Sequence, residues 1–159
     1  MSSSGSSSGP SSAAPQAATE AAQAGGTKEP SSTSCQPPKK TGAVKEGEVT
    51  TFQDFADRSV VKDKLEGHEV WQHANLKSNG LATTRLSTAA SQNNPVIALS
   101  QSTHKAVNAA QRGLDAASQT PIQNIEANIK ILRDLKAAPS DTIELLEKMA
   151  KGHANSMGF

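Results

Sequence analysis

The stretch VKDKLEGHEVWQHANLKSNG, residues 61–80, carries His68, His73 and the chain's only tryptophan, Trp71. Its periodicity decides how the chain is read. Val61, Leu65, His68, Gln72 and Leu76 follow one another at spacings of four, three, four and four residues. Such a pattern is one stripe of an α-helix, and Asn79-Gly80 is a suitable end for it. His68 and Gln72 then point the way the leucines point, toward the interior, while Gly67 is placed to divide the helix into two pieces.

Upstream of this stretch the composition changes character. The chain has 159 residues, and most of the first 45 or so are Ser, Gly, Ala, Pro, Thr and Gln. MSSSGSSSGPSSAAPQAATEAAQAGG contains no large apolar side chain, so its burial cannot repay the entropy of ordering it. Residues 1–47 are therefore expected to form a disordered arm, 48–152 a folded domain and 153–159 a flexible tail. The domain begins where Phe52, Phe55, Val60, Val61 and Leu65 arrive together, mixed with charges.

Downstream, 81–94 is polar and reads as an irregular loop anchored by Leu81, Arg85 and Leu86. NPVIALS, residues 94–100, has an apolar run too short for a helix, after an Asn-Pro pair that disfavours helix at Asn94. A short strand fits it. Ser100 or Ser102 caps the next helix, whose apolar face is Val107, Ala110 and Leu114. Thr120-Pro121 opens another helix with Ile122, Ile125, Ile129 and Leu132 in a stripe. Asp141 and Glu144 resemble a capping box for the last helix, which carries Ile143, Leu146 and Met149 to Gly152. The predicted fold is mainly α-helical, at most a small α+β arrangement with one short extended pair near 81–99.

The bulk numbers exclude several classes. A formal net charge of +1 creates no global field that would announce a nucleic-acid or membrane partner. The single cysteine, Cys35, permits neither an intramolecular disulfide nor a Cys-based zinc site. No apolar run approaches the roughly 18 residues of a membrane span, and no classical signal peptide is recognisable.

Chemistry rests on His68, His73, His104 and His153, the last in a polar tail where a surface histidine is expected. HEVWQH resembles the zinc-protease motif HExxH with one residue added, and peptidases of the dipeptidyl peptidase III type do use HExxxH. On a regular helix, however, an i,i+5 pair lies about 140° apart, against about 40° for i,i+4. His68 and His73 would need a bulge to share one ion. A second constellation joins His68, Asn94 and His104: a base, an amide to orient it, and a further imidazole to hold a divalent ion.

The block from Gly67 to Arg112, with GHEVWQHANLKSNGLA, Arg85, NPVIALS, His104 and VNAAQR, resembles the nuclease toxin domains of the HNH/endonuclease VII superfamily. These occur at the C-termini of bacterial polymorphic toxins and secretion-system effectors. The resemblance covers about 46 residues of the chain. The best-known members begin with adjacent histidines on a strand, whereas here the pair is His68-Glu69, expected on a helix. The resemblance implies His68 and His104 at the reaction centre, one as base and one as metal ligand, with Asn94 orienting or fixing the loop. It implies Glu69 as a metal ligand or a partner of an imidazole, with His73 as a further ligand or Glu69's i,i+4 partner. Arg85, Lys105 and Arg112 would contact phosphate. A divalent metal (Mg²⁺, Mn²⁺ or Zn²⁺), a DNA substrate with RNA as the alternative, a cognate immunity protein and delivery into a target cell by a secretion system all follow from it, while the composition of the arm suggests it as the part that the secretion machinery reads.

Each residue also has a plain structural reading. His68 is a satisfied core histidine, Asn94 a turn residue before proline, and Trp71 core, with stacking on a base as its functional alternative. A helical secreted effector that binds another protein without catalysis would need none of this chemistry. The nuclease and peptidase readings share His68 and part at His104.

Overall fold

A computed structural model of the chain describes residues 40–159. The expected arm lies almost wholly outside the described residues, and Cys35 with it. Along the described chain run β1 (Val49–Thr51), α1 (Phe52–Arg58), β2 (Leu65–Glu69), α2 (His73–Ser78), α3 (Ala89–Gln92), β3 (Pro95–Ser100), α4 (Gln101–Gln111), α5 (Pro121–Asp134) and α6 (Ser140–Ser156). The three strands form one antiparallel sheet in the order β1-β3-β2. The domain is therefore mixed α+β, not mainly helical, and its sheet is larger than the one short extended pair expected.

The decisive departure is at the opening stretch. Residues 65–69 are a strand and only 73–78 are helical. Helical spacing competes here with a full ladder to β3, Leu65 opposite Ser100 through Glu69 opposite Val96, which satisfies backbone groups that an isolated short helix would leave to water. Gly67 tilts the choice further. A Cβ built there would lie 2.9 Å from Phe55 Cδ1, so its missing side chain lets α1 close on the sheet.

β3 is the central strand and is buried along 95–99, as its unbroken apolar run predicts. Its alternate side chains supply two cores. Ile97 and Leu99 join Trp71, Val107, Ile125, Ile129, Leu132 and Leu146 beneath the later helices, while Val96 and Ala98 meet Phe55 and Val44 under α1. The α5 stripe is buried as anticipated, and its N-terminus is a capping box in which Thr120 Oγ1 accepts from Gln123 N–H and Gln123 Oε1 from Thr120 N–H.

The last helix differs from expectation at both ends. Its N-cap is Pro139 with no side-chain cap, and Asp141 Oδ1 accepts only from Thr142 N–H. At the other end the helix continues to Ser156, and the residues read as a loose tail pack against the core. His153 is within 2.8 Å of the Ala90 carbonyl, and the Trp71 ring meets His153 and Phe159 edge-on at centroid distances of 5.6 and 6.2 Å.

Candidate active site

Because consecutive residues of a strand face opposite sides of the sheet, β2 sends Glu66 and His68 to one face and Gly67 and Glu69 to the other. The expected single centre is thereby divided in two. On the first face α4 packs across β2, and its inward turns present His104, Asn108 and Gln111. The His68 and His104 rings meet edge to face at a centroid distance of 5.6 Å. Glu66 makes an ion-pair contact through Oε2 with His104 Nδ1, and the Asn108 amide lies 3.3 Å from that same nitrogen. A carboxylate only accepts, so the His104 nitrogen that faces Glu66 is the one placed to donate.

His68 is 2 % exposed. Burial, reinforced by the neighbouring His104, pushes its pKa down to about 3, so the ring is neutral at physiological pH. Its Nε2 lies 3.3 Å from Gln111 Nε2. Gln111 is tied in turn to Asn128 Oδ1 at 2.5 Å, and Asn128 donates 2.8 Å to the backbone carbonyl of Asn124 and 3.3 Å to Gln72 Oε1. Asn124 and Asn128 are fully buried on α5, which the sequence presents as plain scaffold.

On the opposite face Glu69 is held away from the histidine pair. Asn94 Nδ2 donates 2.9 Å to Glu69 Oε1 and 2.8 Å to the Trp71 carbonyl, and Arg85 approaches Glu69 Oε2 at 3.3 Å. The Arg85 guanidinium lies over the Phe52 ring, 5.4 Å from its centroid. Asn94 thus fixes the chain leaving β2 to the start of β3, the loop-fixing half of its expected role, and does not orient an imidazole. Arg85, expected at a phosphate, pairs here with the buried Glu69 carboxylate while most of its side chain stays exposed. Trp71 is core, its Nε1–H donating 2.8 Å to Asn75 Oδ1, which leaves no face for a base.

His73 opens α2, near enough to Glu69 and Arg85 to feel their charges. Its Nδ1 is buried without a partner, and it forms no ion pair with Glu69 among the described residues; burial lowers its pKa, partly opposed by the Glu69 charge. Lys105 on α4 and Arg112 at its C-cap, seven residues apart, are exposed and make no ion pair among the described residues. Sequence reading missed Glu66, Asn124 and Asn128, and gave Gln111 no role. Strand alternation from His68 would have found Glu66; nothing local marks the α5 asparagines.

The resemblance implies a divalent ion, and two imidazoles with a carboxylate are suitable donor types. As arranged they do not converge. Glu66 is spent on His104 Nδ1, Glu69 faces the other side with His73 near it, and no group of three or more His, Cys, Asp or Glu among the described residues could hold a metal. What the pair can do is proton chemistry: one imidazole backed by a carboxylate, beside one kept neutral by burial. Compared with family models, curated proteins and solved structures, the chain matches none.

Proposed function

We propose that the domain is a nuclease that cleaves phosphodiester bonds, delivered as an antibacterial toxin, with the Glu66–His104–His68 row as its centre. The observation that carries this reading is the edge contact of the two imidazoles with a carboxylate on the outer one. Sequence positions 67–112, whose resemblance suggested a nuclease, supply the rings and Gln111; Lys105 and Arg112 offer unpaired cations on α4 and at its C-cap for phosphate oxygens. DNA is the substrate the resemblance implies, and a cognate immunity protein would protect the producing cell.

RNA is the second reading, and one observation favours it. A paired-imidazole centre without converging metal donors suits attack by a ribose 2′-hydroxyl, which needs only a base and hydrogen bonds to the phosphate. No step of the proposed reaction is routed through a metal.

The test is cleavage of plasmid DNA and of structured RNA by the full chain, with Mg²⁺, Mn²⁺, Zn²⁺ or EDTA. Folded Glu66→Gln and His104→Ala variants run alongside. Cleavage that falls about 100-fold or more in both supports an acid-base role. No cleavage of either polymer under any condition sinks the nuclease reading in favour of a protein-binding effector. Peptide hydrolysis lost in His73→Ala but kept in His104→Ala would favour the peptidase.

A further inference from the structure

We infer that Gln111, oriented through Asn128, locks His68 with its proton on Nδ1, so that His68 stays neutral and His104 is the base. The inference rests on the nuclease reading for its chemistry, but its structural half stands on the amide chain alone.

One group in this chain of amides has a fixed polarity. The backbone carbonyl of Asn124 can only accept, so the atom of Asn128 that approaches it at 2.8 Å must be the NH₂. Asn128 therefore turns its carbonyl oxygen to Gln111, and the Gln111 atom 2.5 Å away must be an NH₂ as well. The same Gln111 nitrogen is the one 3.3 Å from His68 Nε2. A donor faces that ring nitrogen, so Nε2 must accept, and the proton of the neutral ring is on Nδ1.

An imidazolium would set N–H against N–H at this contact, which agrees with the ring's preference for neutrality. A His68 whose lone pair is already engaged is poorly placed to take a proton. His104 is the complement, with Glu66 on Nδ1 and no hydrogen-bond partner at Nε2 among the described residues. In the resulting step His104 Nε2 takes the proton of the attacking hydroxyl, whether from water or ribose, as its oxygen bonds to phosphorus. The ester P–O bond breaks, and the leaving oxygen takes a proton from water. His68 keeps its Nδ1 proton throughout, since giving it up would leave an imidazolate. Gln111 and Asn128 are positioning residues.

The test is the protonation pattern of the His68 ring, read by nitrogen-15 NMR on the full chain near neutral pH, in the wild type and in Gln111→Glu. A glutamate there offers an acceptor where a donor stood. The expected result is Nδ1–H in the wild type, a proton on Nε2 in Gln111→Glu, and a fall in cleavage of about tenfold or more, partly rescued by Gln111→Asn. Nε2–H in the wild-type ring overturns the inference even if Gln111→Glu fails to fold, and so does a Gln111→Glu ring that keeps the wild-type pattern. In either case wild-type cleavage would leave the nuclease reading standing. A wild-type Nδ1–H ring in a chain that cleaves nothing overturns the assigned base and the nuclease reading together, with the amide chain's geometry intact.

Discussion

His68 sits in the interior with one hydrogen-bond neighbour, Gln111, and the edge of the His104 ring, and this combination gives it a clear signature in stability. Folding lowers its pKa from 6.5 to about 3, through burial first and then the His104 charge. Between those values the unfolded chain binds the extra proton. Its contribution is therefore complete above pH 6.5 and is lost as pH falls toward 3, at up to about 1.4 kcal/mol per pH unit. Burial shifts His73 and His153 in the same direction. The urea midpoint should fall between pH 7.5 and pH 5, a range above the window of Glu48 and Glu147, whose carboxyls arginine and lysine partners hold low. A midpoint that is flat or rises on acidification would show that these histidines are not buried as neutral rings. Residue by residue, the two site histidines were legible because their type and order suggested chemistry. Glu66 was hidden because its meaning depends on a period of two.

The β2 strand shows how an element can carry two readings. Leu65, His68, Gln72 and Leu76 satisfy a helical period, but Glu66 and His68 also satisfy a strand's, and Gly67 is costly in a helix interior. Pairing with β3 decides between them. The strand reading makes a sharp demand, since Phe55 fills the space that a residue-67 side chain would take, within 2.9 Å of its Cβ. Gly67→Ala should destabilise the domain by about 1–3 kcal/mol, measured by equilibrium denaturation, because either the Phe55 ring or α1 must move. An unchanged midpoint would mean that α1 is not seated on β2. By contrast β3 and α5 were readable from sequence, β3 as a short apolar run after Asn-Pro and α5 as a long stripe with Thr-Pro at its head. The missing cap on α6 shows the limit: Asp141 and Glu144 have the right spacing, but the helix begins earlier, at Ser140.

At the scale of the whole molecule the sheet is a partition. The His68–His104 pair with Glu66 lies on the α4 face, and the Glu69–Arg85–Asn94 group braces the other. A nearly neutral chain cannot bind a polyanion by overall charge, so nucleic-acid affinity in the proposed function must come from local cations such as Lys105 and Arg112. Replacing either with alanine should weaken binding similarly across sequences and reduce the slope of log affinity against log salt by about one. Titrations of a fluorescent oligonucleotide at several salt concentrations check this, and unchanged slopes in both variants would remove α4 from the binding surface.

By itself the sequence determined which segments are apolar enough to be buried, where β3 and α5 lie, and that His68, His73 and His104 fall within one block of the chain. Those properties are local, written in composition and in spacings within one element. Only the tertiary structure decided that 65–69 is a strand, that Glu69 and Arg85 turn away from the histidine pair, and that buried Asn128 on α5 holds the Gln111 amide beside His68. Pairing partners and the face to which each side chain is sent are set by contacts between segments distant in sequence, where no local period can record them.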